Sequence, residues 1–126
     1  MVESEFYNVK FDESQNFLNL KLNGFWADKD LYKELEGKIK DLLGKTKPDW
    51  KMLVDLTDFK TPPMELWKEI AQIQEILVKK GLRKIAEILP KSIITRMAVN
   101  SFSSPSGLER HQFPNIEEAM AWLKIS

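Results

Sequence analysis

Two segments near the start of the chain alternate between apolar and polar residues. Residues 6–11 read FYNVKF and residues 17–22 read FLNLKL, a pattern typical of strands that bury one face. The five residues between them, DESQN, favour a turn. The pattern therefore predicts an antiparallel β-hairpin whose second strand ends near Gly24.

Apolar residues then recur at helical spacing, with Lys and Glu on the opposite face and either Asp28 or Asp30 suited to cap the helix start. The inward positions of this helix are Leu31, Leu35, Ile39, Leu42 and Leu43. A second helix is predicted over residues 64–80, where two lysines and Gly81 mark its end. Its core positions are Leu66, Ile70, Ile73 and Leu77, with Trp67 beside them.

Three more predicted strands alternate with helices along the rest of the chain. They are residues 51–56 (KMLVDL), 83–89 (RKIAEIL) and 108–113 (LERHQF). Helices are predicted to begin near Pro90 and Pro114, since proline is favoured in the first helical turn. The order β-β-α-β-α-β-α-β-α indicates an α/β fold with a mixed, mainly parallel sheet. Its length fits a single domain over residues 1–126.

The charge and composition exclude some classes of function. Lys and Arg together number 19, as do Asp and Glu, so the chain lacks the positive field of a general nucleic-acid or anionic-membrane binder. The absence of cysteine excludes disulfides, thiolate catalysis and cysteine-ligated zinc. No secretory signal is evident at the N-terminus, and no apolar run approaches the roughly 20 residues that span a bilayer. We therefore expect a cytoplasmic protein without stable membrane insertion.

Residues capable of catalysis do not form a familiar pattern. The loop sequence SSPSG lacks the glycine spacing of phosphate-binding loops. His111 is the single histidine, and no further metal ligands stand at matching spacing. Asp55, Asp58 and Glu65 flank a predicted turn, where surface or capping roles are more common than acid–base catalysis. The sequence thus predicts no enzyme, no cofactor and no metal site.

The segments VDLTDF and HQFPNIEEAMAWLKIS carry a family resemblance. Together with the order of elements, they resemble the SpoIIAA-like family of STAS-type domains over nearly the whole chain. The resemblance implies a SpoIIAA-like βα core, no cofactor and no catalytic constellation. Because members related to anti-sigma-factor antagonists bind protein partners near the loop after this strand, it also implies a non-enzymatic regulatory or protein-interaction module.

The resemblance places a candidate partner-binding or phospho-acceptor site at Asp58, Phe59, Lys60 and Thr61. In the family, a Ser or Thr at the start of the following helix is a phosphorylation switch, and Thr61 is the candidate position here. The residues after Thr61 are two prolines, whereas the family's regulatory pattern has an Asp-Ser pair followed closely by Gly. Residue chemistry alone favours a different role for Thr61, since threonine followed by proline is a good helix N-cap.

Tryptophan residues support an alternative function. Trp26, Trp50 and Trp67 either pack in the core or line a pocket or interface. Other family members resemble the lipid-binding CRAL-TRIO fold in outline, so the alternative is a carrier of a small apolar ligand or lipid. Ile76 and Val78 lie off the core face of the second predicted helix. A second copy of the chain would cover them, so we hypothesise a homodimer.

Overall fold

The computed structural model covers the backbone of residues 2–3 and 5–125 and the side chains of residues 5–124. The strands are β1 (Val2–Glu3), β2 (Tyr7–Asp12), β3 (Phe17–Gly24), β4 (Lys51–Phe59), β5 (Lys84–Ile88) and β6 (Glu109–Phe113). The α-helices are α1 (Lys29–Leu43), α2 (Trp67–Lys79), α3 (Ile93–Ser101) and α4 (Ile116–Ile125). A short 3-10 turn, Met64–Leu66, directly precedes α2.

The strands lie in the sheet in their chain order, from β1 at one edge to β6 at the other. The first three strands pair antiparallel, and β3, β4, β5 and β6 run parallel to one another. This arrangement confirms the predicted hairpin, the order of elements and the mixed, mainly parallel sheet, with β1 as a short addition. Gly24 ends β3 at a φ of 78°, a left-handed conformation that glycine adopts without strain.

Helices cover both faces of the sheet. On one face, alternate strand residues such as Leu20, Val54 and Ile85 form the main core with α1, α2 and α3. On the other face, Leu53 and neighbouring residues of β5 pack against α4. The central strand β4 is therefore buried on both sides, which explains its continuous apolar run MLV.

Polar side chains define the starts of three helices. Asp28 Oδ1 accepts a hydrogen bond from the backbone N–H of Asp30 at 2.9 Å, which confirms one of the two predicted caps of α1. Ser92 caps α3 by accepting from the backbone N–H of Thr95, so this helix begins after the predicted start at Pro90. Asn115 accepts from the N–H of Glu118 at 3.0 Å at the start of α4.

The central strand β4 extends three residues beyond its predicted end at residue 56. Asp58 and Phe59 still pair with β3, opposite Asn23 and Gly24, after a shift in register. Asp58 and Phe59 therefore lie on a strand, whereas the sequence placed them in a turn.

Candidate functional site

The end of β4 meets the start of α3 at the carboxyl edge of the parallel strands. We call this region the β4–α3 junction (residues 57–61 and 91–97). The backbone N–H of Lys91 donates to the carbonyl oxygen of Thr57 at 3.1 Å, and the hydroxyls of Thr61 and Thr95 lie 3.0 Å apart. In open parallel sheets this edge is where binding sites usually form, because the connecting loops converge there.

The structure contradicts the capping role predicted for Thr61. The 3-10 turn begins after Pro63, and neither that turn nor α2 receives a side-chain cap. Thr61 lies too early in the chain to reach their free N–H groups, and its hydroxyl pairs with Thr95 instead. Thr61 therefore links two segments of the junction, and its role as a phospho-acceptor stays a prediction.

Asp58 carries the main electrostatic contact of the junction. Its carboxylate lies 3.0 Å from Lys91 Nζ and 3.9 Å from Lys21 Nζ. The hydrogen bond from Lys91, together with the positive charge of that side chain, holds the pKa of the Asp58 carboxyl below its usual range. Asp58 is thus a charged, exposed group whose ion pair links the end of β4 to Lys91, the residue that precedes the Ser92 cap of α3.

Phe59 is the one member of the predicted site whose side chain is unavailable to a partner. It is only 4% exposed and belongs to the main core, whereas its neighbour Lys60 is exposed. The cause is the register shift, because the three steps from Asp55 to Asp58 span the same length as the two steps from Lys21 to Asn23 on β3. Such a bulge reverses the alternation of the strand and turns Phe59, rather than Asp58, toward the core.

An exposed apolar group on α3 adjoins these polar residues, and sequence reasoning did not single it out. Ile93, Ile94 and Met97 are 71%, 72% and 65% exposed. Their spacing places them together on the helix surface, so we call them the α3 apolar patch. Thr95 and Val99 point inward instead. The only sequence signal is a nine-residue helix with apolar residues on more than one face.

The three tryptophans of the predicted pocket lie in separate places. Trp26 is 1% exposed, packs its ring 5.2 Å from that of Tyr32 and lines an internal cavity. Trp50 is also buried and donates through Nε1 to the carbonyl of Lys80. Trp67 is half-buried and donates to the carbonyl of Pro62. Each of these three indole N–H groups has a backbone partner, and Trp26 and Trp50 line different pockets.

The cavity beside Trp26 lies between the sheet and helices α1, α2 and α3. Its volume is about 80 Å³, and apolar side chains such as Met52 and Val99 form most of its lining. Gln74 also lines it, and the buried Oε1 atom of Gln74 has no hydrogen-bond partner. A cavity of about 150 Å³ is known to hold benzene, so this space suits only a very small molecule or water.

The remaining predictions concern the association of two copies, metal binding and membrane insertion. Ile76, which motivated the homodimer hypothesis together with Val78, is half-buried and packs against the main core. Association into a homodimer stays a prediction. Within residues 5–124, no three His, Asp or Glu side chains are grouped so that they could hold a metal ion. None of the described helices is long and apolar enough to cross a membrane.

The family model of SpoIIAA-like proteins matches residues 17–124. The chain belongs to the SpoIIAA-like family. An uncharacterized protein from Shewanella loihica PV-4, of the DUF3478 family and with a SpoIIAA-like fold, has a similar solved structure. It shares 19% identity with this SpoIIAA-like chain at a TM-score of 0.68, over 98% of both chains. This confirms the resemblance and the fold deduced from the sequence.

A second similar structure belongs to a much larger protein. The SpoIIAA-like chain matches murine Solute Carrier 26 family member A9, an anion transporter, with a TM-score of 0.66 and 12% identity. The match covers 89% of this chain and 18% of the transporter chain. At 19% and 12% identity, these two structural similarities are evidence for the fold and for nothing more. No curated protein is significantly similar to the chain.

Proposed function

We propose that this chain is a non-enzymatic, STAS-like protein-interaction module that binds its partner through the α3 apolar patch and the exposed residues of the β4–α3 junction. The observation that carries the proposal is the exposure of Ile93, Ile94 and Met97, each more than 60% exposed on one short helix. Contiguous exposed apolar groups with a polar border are typical of interaction sites.

Polar residues border the patch in the manner of an interface rim. Lys60 is exposed, and the Lys91–Asp58 ion pair lies on the same edge of the sheet. The Thr61–Thr95 hydrogen bond fixes this border relative to α3. Protein interfaces combine an apolar centre with a polar rim, and charges on the rim contribute mainly to the association rate and to specificity.

The chemistry of the junction favours binding over catalysis. A general base works best with a pKa near the operating pH, whereas the neighbouring lysines lower the pKa of Asp58. The hydroxyl of Thr61 contacts another hydroxyl rather than a base that would activate it as a nucleophile. Both groups suit the recognition of a complementary surface.

Charge substitutions within the patch test the proposal. Ile94→Asp and Met97→Asp place a carboxylate in the apolar centre, while Ile116→Asp changes a 48% exposed residue of α4 as the matched control. Quantitative mass spectrometry of proteins captured from cell extract should identify a partner recovered equally by the wild type and Ile116→Asp. The purified partner should then bind Ile94→Asp and Met97→Asp at least about tenfold more weakly.

Variants of the rim complete the experiment. Lys60→Glu and Thr61→Glu reverse or add charge at the border, so they should change the rate of association with the same purified partner and its dependence on salt. All variants should keep the wild-type stability within about 0.5 kcal/mol, except Thr61→Glu, which loses the bond to Thr95. Equal binding by the wild type and every patch and rim variant would rule out this surface.

The internal cavity supports a second candidate function, the carriage of a small apolar ligand. The supporting observation is the unpartnered Gln74 Oε1 in an otherwise mainly apolar lining, which suits a ligand with one hydroxyl or amine donor. Native mass spectrometry with a panel of small alcohols and amines, each small enough for a cavity of about 80 Å³, tests this candidate. Bound mass that disappears in Gln74→Leu would support it, and an unliganded mass throughout would exclude it.

A further inference from the structure

The backbone bonding of β6 shows which of its groups face the rest of the sheet. The N–H of Glu109 donates to the carbonyl of Arg83 at 2.8 Å, and the carbonyl of Phe113 accepts from Leu89 N–H at 3.0 Å. Since the bonding direction alternates along a strand, His111 between them also directs its backbone groups toward β5.

Arg110 and Gln112 consequently direct their backbone N–H and C=O groups away from the sheet. In the described part of the chain, no strand lies beyond β6 to form hydrogen bonds with these groups. A polar groove of about 500 Å³ follows this edge and is lined in part by Ser104, Arg110 and Gln112. The edge is therefore open to another strand and can supply two donors and two acceptors.

We propose that β6 pairs antiparallel with β6 of a second copy of the chain, with the two His111 residues facing each other across a twofold axis. In this register, Arg110 of each copy lies opposite Gln112 of the other. Each of these two pairs exchanges two backbone hydrogen bonds, so all the outward groups of Arg110 and Gln112 are satisfied. The sheet then continues from one copy into the next.

The neighbouring registers are less favourable. Centring the pair on Arg110 places two guanidinium-bearing residues directly opposite each other. Centring it on Gln112 places Arg110 opposite Pro114, which has no N–H to donate. In the His111 register, by contrast, Glu109 of one copy lies diagonally across from His111 of the other, and these two side chains already pair within one copy at 3.1 Å.

The helices leave room for this arrangement. Helix α4 packs chiefly against β5, one strand in from the edge. Three strand spacings separate β5 of one copy from β5 of the other, which places the two α4 helices about 14 Å apart, beyond the usual helix-packing distance. The rings of His111 and Trp122, stacked at 4.6 Å, then lie beside the axis in both copies.

Cysteine cross-linking tests the register, because the chain contains no cysteine. His111→Cys places two thiols opposite each other with a Cα separation of about 4.5 Å, within the range that a disulfide bridges. Glu109→Cys is the matched control, since residues 109 and 111 have side chains that are 51% and 48% exposed. Its two copies lie about 13 Å apart, beyond the reach of a disulfide.

Under mild oxidation, His111→Cys should form the cross-linked dimer at least about tenfold faster than Glu109→Cys, because only its thiols are within range. Equal rates for the two variants would overturn the proposal. Because the variants share one strand and similar exposure, a general effect of thiol reactivity or protein concentration changes both alike.

Light scattering provides an independent measurement. The wild type should reach twice the 14.7 kDa chain mass at high micromolar concentration. Gln112→Pro removes one outward N–H from each copy without removing a bond to β5, so the dissociation constant should rise roughly tenfold or more. Gln112→Ala keeps the backbone donor and should remain dimeric. A monomeric wild type, or equal dimerisation of Gln112→Pro, would contradict the proposed pairing.

Discussion

Thr61 and Thr95 share a side-chain hydrogen bond of 3.0 Å although they lie 34 residues apart in the chain. Thr95 is 3% exposed, so this bond is largely shielded from water. Together with the Lys91–Asp58 ion pair, it fixes the start of α3 against the end of β4. The orientation of the α3 apolar patch therefore depends on a small number of polar contacts.

The two threonines should be energetically coupled. Thr61→Val and Thr95→Val keep the side-chain shape and remove the hydroxyl, and the double variant removes both partners. Urea unfolding of the four proteins should give a coupling free energy of about 1 kcal/mol, since a single variant leaves one hydroxyl unpaired. Strictly additive effects of the two single variants would show that the bond does not form in solution.

Arg110 should be among the residues most important for stability. It forms two hydrogen bonds with the buried Glu87 and also donates to the carbonyls of Val99 and Phe102. Arg110→Met leaves the Glu87 charge buried without its partner, so the free energy of unfolding should fall by about 3–5 kcal/mol. Adding Glu87→Leu should restore a large part of that loss in chemical denaturation.

The control for this prediction is Lys68→Met, an exposed position on α2. It should change the free energy of unfolding by less than about 0.5 kcal/mol. If Arg110→Met is equally mild, the Glu87–Arg110 pair is not a buried pair in solution.

Both tyrosines of the chain should resist ionisation in the folded state. Burial and a 2.7 Å hydrogen bond to Glu34 raise the pKa of Tyr7 to about 12. Burial, followed by the negative charge of Glu69, raises the pKa of Tyr32 as well. Because the folded pKa exceeds the unfolded value near 10, the stability they contribute is complete below about pH 10 and is lost as the pH rises further.

An absorbance titration measures this effect directly. The folded protein should show little tyrosinate near pH 10, and tyrosinate should appear together with the loss of far-UV circular dichroism. In concentrated urea, both tyrosines should titrate near their ordinary pKa of about 10. A tyrosine that ionises near that value while the fold is intact would contradict the burial of the phenols.

The buried Gln74 side chain should lower the free energy of unfolding relative to an apolar residue at this position. Its Oε1 atom is buried without a hydrogen-bond partner beside the apolar cavity. Gln74→Leu removes this acceptor and adds apolar contacts, so thermal or urea unfolding should show a gain of about 1 kcal/mol. Gln72→Leu, at an exposed position of the same helix, should have little effect. A loss of stability in Gln74→Leu would indicate that a donor occupies the cavity.

Local patterns in the sequence predict most of the sheet and helices. The alternating residues of the hairpin, the apolar run of β4 and the Asp28 cap each depend on neighbours a few positions away. Such short-range preferences are readable without tertiary information, and the family resemblance adds that the predicted elements form a SpoIIAA-like βα core.

The details of the candidate site depend on contacts between distant segments. The bulge that buries Phe59 arises from the pairing of β4 with β3, and the partner of Thr61 lies on another helix. A local reading therefore gives Thr61 a capping role and leaves Phe59 in a turn. The exposure of Ile93 and Ile94 is equally difficult to predict, because the sequence does not show which side of a short helix the sheet covers.

The order of the strands also affects how the protein is made. Every strand lies beside the strand that precedes it in the chain, so none has to be inserted between two strands that are already paired. During synthesis on the ribosome, the preceding strand has already emerged when the next strand is ready to pair with it, because N-terminal segments become available to fold first. The sheet grows in one direction as translation proceeds, and the loops that must close remain short compared with those of a sheet whose strand order is shuffled.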